Sequence, residues 1–256
     1  MRTVRTIDEA RRFLAPLRDS RIGLVPTMGA LHAGHEALLA AARDECDTVI
    51  VSLFVNPAQF GEAGDLESYP RDEARDAAIA AGSGADVLFA PLAAEMYPDG
   101  FQTWIDVTEL GSMLEGEFRP GHFRAVATVC CKLFNIVRPD VAYFGQKDAQ
   151  QVEVVRRLVR DLDLEVALHV VPTVRDEDGL AFSSRNVLLS PAQREQASRL
   201  ARALGTRDPA AARRMLDGLD VDYVAVAPFD PPVLAGAVRI GGVRLIDNVP
   251  LEGALQ

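Results

Sequence analysis

The sequence predicts an α/β fold: an open parallel sheet with helices on both faces, followed by a smaller α+β C-terminal domain. Three observations carry this. Short continuous apolar runs, of the kind buried on both faces of a parallel sheet, recur along the chain up to residue 172. Between them lie segments of helical periodicity, and such alternation argues for an open parallel sheet with helices on both faces. After Pro172 the texture changes to Ala- and Arg-rich helical segments and further apolar runs. That change sets a boundary near residue 173, giving domains 1–173 and 174–256. The second, at about 80 residues, is small enough to lean on the first for stability.

Taken in order, RIGLV at residues 21–25 reads as a strand, and a helix of about a dozen residues, reaching Cys46, follows the Gly-bearing loop PTMGALHAGH. TVIVSLFVN is a buried strand, residues 69–81 read as helix, and ADVLFAP is a strand. HFRAVATVCCKLFNIV places Phe123, Val126, Cys130, Leu133 and Val137 on one helical face. VAYFG is a strand, DAQQVEVVRRLVRDL a helix and LEVALHVVP a strand. Beyond them TVRDEDGLAFSSRN reads as a loop, two short helical segments come next, and YVAVAPF and AVRIGGVRLIDNV are apolar runs.

The composition narrows the partners. Asp plus Glu number 37 against 27 for Lys plus Arg, and a net charge of -10 repels a nucleic-acid backbone. Nucleic acid is therefore not the expected partner. Three cysteines, two of them adjacent in an apolar helix, give neither a disulfide framework nor zinc-type spacing. The N-terminal segment has no continuous apolar core of a signal peptide, and no apolar run reaches spanning length. A soluble cytoplasmic protein, with no membrane partner, is expected.

The candidate chemistry sits where strands end, because ligands of open parallel sheets bind at the carboxyl ends of strands. His32 lies in the loop after the first strand and His35 in the first helical turn. There an anion meets backbone N–H groups and the helix dipole. Gly29 and Gly34 permit positive φ and close approach of a ligand. Taken alone, HxxH reads first as one histidine capping the helix and the other a packed surface residue; zinc is disfavoured, since helix-borne zinc histidines stand four residues apart.

Asn56 and Gln59 follow the second strand, and neutral amides suit hydroxyls and carboxylates. A turn-forming Asn before Pro57 is the plain alternative. Gly145 opens GQKDAQQ, which sets Gln146, Lys147, Asp148 and Gln151 at a helix start. Lys147 and Lys132 are the two lysines among 27 basic residues. A compact ammonium at a helix N-terminus suits phosphate oxygens, whereas Lys132, mid-helix, is expected to snorkel. FSSR at residues 182–185, on the loop between domains, offers two hydroxyls and a guanidinium to a departing pyrophosphate. Neither a GxxxxGK[ST] nor a GxGxxG loop competes for a nucleotide.

PTMGALHAGH, SLFVNPAQF, YPR at 69–71, LEGEFRPGHFRAV, PDVAYFGQKDAQQ and DGLAFSSRN together resemble the successive signatures of the pantothenate synthetase family, in order and spacing over most of residues 22–190. HAGH is similar to the HIGH-type motif of nucleotidyltransferases with a Rossmann-like sheet, and FSSR stands where that superfamily carries its KMSKS-like element. The resemblance implies an ATP-dependent ligase that condenses pantoate with β-alanine through a pantoyl adenylate. It implies that Met28, Gly29, Ala30, Leu31, His32, Ala33, Gly34 and His35 wrap ATP. His32 and His35 would bond the reacting phosphates. Lys147, Ser183, Ser184 and Arg185 would hold phosphate oxygens. Gly145, Gln146, Asp148, Val174 and Phe182 would shape the nucleotide site. Gln59 and Gln151 would grip pantoate, with Asn56 nearby. Mg2+ accompanies the triphosphate, a homodimer is implied, and the C-terminal domain would be a lid.

The chain departs from the family pattern in places. Ala58 stands where Met is expected, and Gln146 where an acidic residue is expected. In the acidic stretch after YPR, Arg75 interrupts and Asp76 remains, so no metal ligand is assigned. The segment between Gly205 and Tyr223 is shorter than expected. Another adenylyl transferase, attacking ATP with a phosphate, would need extra basic residues where Asn56 and Gln59 stand. A nucleotide-binding regulatory domain would have no reason to keep every phosphate-binding side chain.

Overall fold

The computed structural model describes residues 1–61, 66–67 and 69–251. The chain packs as two units. The first comprises Met1–Leu31, His35–Phe144 and Val154–Val171; the second comprises His32–Gly34, Gly145–Glu153 and the chain from Pro172 onward.

The first unit is built on a six-stranded sheet. Its strands are β1 (Arg2–Val4), β2 (Ile22–Thr27), β3 (Thr48–Leu53), β4 (Val87–Phe89), β5 (Val141–Gly145) and β6 (Ala167–Val171), in the order β1-β4-β3-β2-β5-β6. The pairings β1–β4, β4–β3, β3–β2 and β2–β5 are parallel. The central strands are buried on both faces, which is why they read as unbroken apolar runs rather than alternating ones.

One face gathers Val25, Val49, Val51, Leu88, Val141 and Tyr143 against Leu38, Leu39 and Ala42 of α2 (Ala33–Glu45) and Ala80 of α3 (Glu73–Gly82). Helix α1 (Ile7–Leu14) packs on α6 (His122–Val137), which in turn touches β2. Between α3 and α6 lie the short helices α4 (Ala93–Met96) and α5 (Glu115–Phe118). All five apolar residues expected on one face of α6 are buried, but so are Ala125, Ala127, Thr128, Val129, Phe134 and Ile136. The helix is enclosed nearly all round.

Four local expectations are revised. The helix expected from residue 69 starts at Glu73, because Asp72 caps it, accepting the Arg75 N–H at 3.0 Å. Strand β1 and helix α1 add to the elements expected from the sequence. Lys132 does not simply reach for water: its ammonium lies 5.0 Å from the centre of the Phe101 ring and 6.0 Å from that of Tyr97. Gly34 has no positive φ, whereas Gly29 does, at +90°.

In the second unit, helix α7 (Ala149–Asp161) begins; α8 (Pro191–Leu204) and α9 (Pro209–Met215) then cover an antiparallel sheet in the order β7 (Asp220–Ala227), β8 (Val233–Ile240), β9 (Val243–Pro250). Gly241 and Gly242, at φ +57° and +83°, form the two-residue turn between β8 and β9, the conformation that tight hairpins demand. Leu200, Leu204, Val224, Leu234 and Val238 form its core. Residues 252–256 of the expected C-terminal domain lie outside the described residues. Among the described residues no helix is long and apolar enough to cross a membrane.

Candidate active site

Strands β2, β3 and β5 run parallel and end at one edge of the first sheet, and the singled-out motifs follow these ends. After β2, Thr27 accepts the Gly29 N–H at 3.3 Å and donates to the Ser52 carbonyl at 2.7 Å, tying the loop to β3. The turn then passes through Gly29 and Ala30, the latter at φ +52°, a region L-residues seldom occupy. What holds it is Asp76, 1 % exposed, whose carboxylate accepts the N–H groups of Ala30 at 2.8 Å and Leu31 at 2.7 Å. A side chain on Gly29 would strike Leu53 and that carboxylate. Met28 and Ala30 stay half-buried, while Gly29 and Leu31 are buried.

The glycine of HAGH has a specific task. The Gly34 N–H donates to His32 Nδ1 at 3.1 Å, and a Cβ at residue 34 would meet the His32 ring at 3.0 Å. An accepting Nδ1 leaves Nε2 as the N–H donor of the neutral ring. The ring also stacks on Phe182, 6.1 Å between centroids and 25° between planes. HAGH and FSSR, some 150 residues apart in sequence, therefore meet through His32 and Phe182. His35 is half-buried in the first turn of α2, after Ala33 and Gly34.

After β3, Asn56 caps the single turn of 3₁₀ helix Pro57–Gln59, accepting the Ala58 N–H at 3.2 Å. It is 1 % exposed, and its Nδ2 donates to Gln59 Oε1 at 2.8 Å, orienting the Gln59 amide with its nitrogen away. The turn-forming reading of Asn56 is met: it caps the turn, and its amide also fixes Gln59. Two residues of GEFRPGHF that carry no expected role complete this support. The Gln59 carbonyl accepts from His122 Nδ1 at 3.1 Å and from Arg119 Nη2 at 3.3 Å, while Arg119 Nη1 lies 3.2 Å from His122 Nε2. A donating Nδ1 makes Nε2 the acceptor, so one tautomer satisfies the whole chain of contacts. Near Asn56, burial pushes the Tyr97 phenol up to about 12.

After β5, Gly145 leads into the 3₁₀ turn Gln146–Asp148, and α7 comes next, with Gln151 half-buried in its first turn. The Lys147 side chain is 18 % exposed and donates to Asp148 at 3.3 Å. The stretch expected to be a loop proves more ordered. Arg175 and Ala181 form an antiparallel bridge, the Phe182 N–H donates to the Val174 carbonyl at 3.0 Å, and Gly179 makes the turn. Val174 and Phe182 are thus brought together at the base of a small hairpin. From it Ser183 caps a 3₁₀ helix, Ser184–Leu188, by accepting the Arg185 N–H at 3.3 Å.

Among the described residues no cluster of three or more His, Cys, Asp or Glu side chains is placed to hold a metal ion. Asp76 is committed to the loop it supports. A magnesium ion carried by a nucleotide is held largely through phosphate oxygens and water, with one or two protein carboxylates at most, and does not call for such a cluster.

A family model described as pantoate-beta-alanine ligase matches residues 2–250. A pantothenate synthetase of Heliobacterium modesticaldum is 51 % identical over 280 aligned positions, covering 97 % of this chain and all of that one. One from Roseiflexus castenholzii is 50 % identical, covering 98 % and 100 %. Among solved structures, the pantothenate synthetase of Thermus thermophilus superposes with a TM-score of 0.93 at 46 % identity, covering 99 % and 100 %. The pantoate-beta-alanine ligase of Francisella tularensis, solved with beta-gamma ATP and beta-alanine, gives 0.89 at 37 %, covering 99 % of each chain. The 280 positions aligned with the Heliobacterium protein exceed the 256 residues here, so that relative carries residues this chain lacks.

Proposed function

This chain belongs to the pantoate-beta-alanine ligase family, and from that premise we propose how its residues divide the work of ATP-dependent pantothenate formation. In the first step a pantoate carboxylate oxygen attacks the α-phosphorus of ATP; the bond to the bridging oxygen breaks and pyrophosphate leaves. In the second the β-alanine amine attacks the acyl carbon of the adenylate, AMP departs, and the amine gives up a proton. No protein nucleophile is needed, so the protein positions reactants and stabilises charge.

His32 and His35 donate to the phosphates as charge builds. Lys147, Ser183, Ser184 and Arg185 hold phosphate oxygens. Met28, Gly29, Ala30, Leu31, Ala33 and Gly34 wrap the nucleotide, and Gly145, Gln146, Asp148, Val174 and Phe182 shape its site. Gln59 and Gln151 bind pantoate, with Asn56, His122 and Arg119 fixing Gln59. Carried in with ATP rather than held in a protein cage, Mg2+ would supply the positive charge that offsets the leaving pyrophosphate. The enzyme works as a cytoplasmic homodimer, and residues 174–256 act as a lid that shields the adenylate from water.

The observation that carries the reading is the stacking of His32 on Phe182, which joins the two motifs expected to act on the same phosphates. The test is exchange of labelled pyrophosphate into ATP. It should require pantoate and not β-alanine. Exchange that needs β-alanine, or that nicotinamide mononucleotide supports equally well, overturns the assignment.

A further inference from the structure

Two adjacent residues of β9 reach both phosphate segments of the second unit. Asn248 is 3 % exposed, and its Nδ2 donates to the carbonyls of Gln146 at 2.9 Å and Lys147 at 2.8 Å. Its Oδ1 accepts from Gln146 Nε2 at 3.2 Å. One side chain thus closes around the turn that presents Lys147, using both amide hydrogens and its oxygen.

Asp247, 4 % exposed, takes Arg175 in a forked pair, at 2.6 Å to Nη1 and 3.0 Å to Nη2. Its Oδ1 also accepts the Asn248 N–H at 2.8 Å. Arg175 donates further to the Gly179 carbonyl at 3.1 Å and the Asn248 carbonyl at 3.3 Å. Arg175 begins the hairpin from which residues 182–185 emerge.

Neither residue belongs to a motif, and neither has to touch a ligand in order to shape the site. We infer that Asp247 and Asn248 form a positioning pair that sets the spacing between Lys147 and the Ser183, Ser184, Arg185 segment, so that both meet one triphosphate. The inference rests on the nucleotide reading above. Buried networks in which every donor and acceptor is engaged are rigid, and phosphate-transfer geometry tolerates little displacement. Removing the Asn248 amide strips the buried Gln146 carbonyl and the partly buried Lys147 carbonyl of this donor, and the Lys147 turn relaxes. The damage then passes through Lys147 and should vanish when Lys147 is absent.

The experiment is a double-mutant cycle on ATP affinity, measured by titration calorimetry on the full chain. Asn248→Ala should weaken ATP about tenfold in the native background and less than about twofold in a Lys147→Ala background, the mark of coupled residues. Asn248→Asp keeps the volume and the oxygen facing Gln146 but loses both donors. It should behave like the alanine variant, and it carries the test if that variant fails to fold. Equal losses in both backgrounds, or native affinity in Asn248→Asp, overturn the coupling while leaving the site reading in place. If Lys147→Ala alone binds ATP normally, the site reading falls and takes the coupling with it.

Discussion

Asp76 and Leu31 stand 45 positions apart in the chain, yet the Asp76 carboxylate accepts the Leu31 N–H at 2.7 Å and, through its other oxygen, the N–H of Ala30 at 2.8 Å. It substitutes for a strand partner at the point where β2 has ended and α2 has not begun. Asp76→Ala should cost about 3 kcal/mol of stability, the scale of leaving buried donors unsatisfied at a charged acceptor. Asp76→Asn keeps the shape but turns an NH2 towards an N–H. It should lower pyrophosphate exchange more than it lowers the melting midpoint. A variant with native exchange at every ATP concentration would show that the loop holds itself.

His35 is half-buried in the first turn of α2, where donors to an anion gather. Under the proposed role, replacing it with Ala would remove a donor at the reacting phosphate, and the activation barrier should rise by about 3 kcal/mol, as for loss of one oxyanion donor. The melting midpoint should hardly change. Full turnover per folded molecule in a poorly folding His35→Ala would make the residue a packing group.

Lys147 offers a compact ammonium in a side chain only 18 % exposed. Lys147→Arg preserves the charge but brings a planar, wider group, so turnover should drop strongly with folding intact. Steady-state kcat at saturating ATP measures it, and a native value would reduce Lys147 to a surface cation.

The sequence discloses what is local. Strands β2, β3 and β5 are legible because burial on both faces demands continuous apolar side chains, and the motifs because they follow those strands. Strand β1 escapes because, of its three residues, Val4 alone is buried. Helix α1 does carry a signal: Thr6 and Glu9 form a capping box, the TxxE pattern of a helix start. Asp76, Asn248 and the Arg119–His122 pair leave no such trace. Each supports a segment dozens of residues away: Asp76, Arg119 and His122 fall in or beside stretches that resemble family signatures, but nothing in the local sequence shows which distant groups they bond. Gly34 shows the reverse case: its importance is legible, but the reason is the His32 ring against it rather than a positive φ.

The second unit contains a charge arrangement whose pH dependence is readable. Arg239 of β8 and Arg244 of β9 are directly opposed across the sheet, a repulsive pairing. Asp222 of β7, its side chain 7 % exposed, accepts from Arg239 Nε at 2.9 Å and Arg244 Nε at 2.6 Å, and so offsets it. Burial alone pushes the Asp222 carboxyl up, but the hydrogen bonds and charges of the two guanidinium groups together outweigh it and hold the group below its ordinary value. A carboxyl depressed in the folded state stabilises above its unfolded pKa of about 3.9, and that stabilisation is lost as pH falls through the lower folded value. Asp222→Asn should therefore lower stability at pH 7 by about 2 kcal/mol, the scale of charge-assisted bonds lost between partly exposed partners. In urea titrations repeated at decreasing pH, the difference between native and variant midpoints should shrink once the pH drops below about 4. A difference that persists or widens in acid would mean that Asp222 acts through shape and packing, with the two arginines tolerating each other unaided.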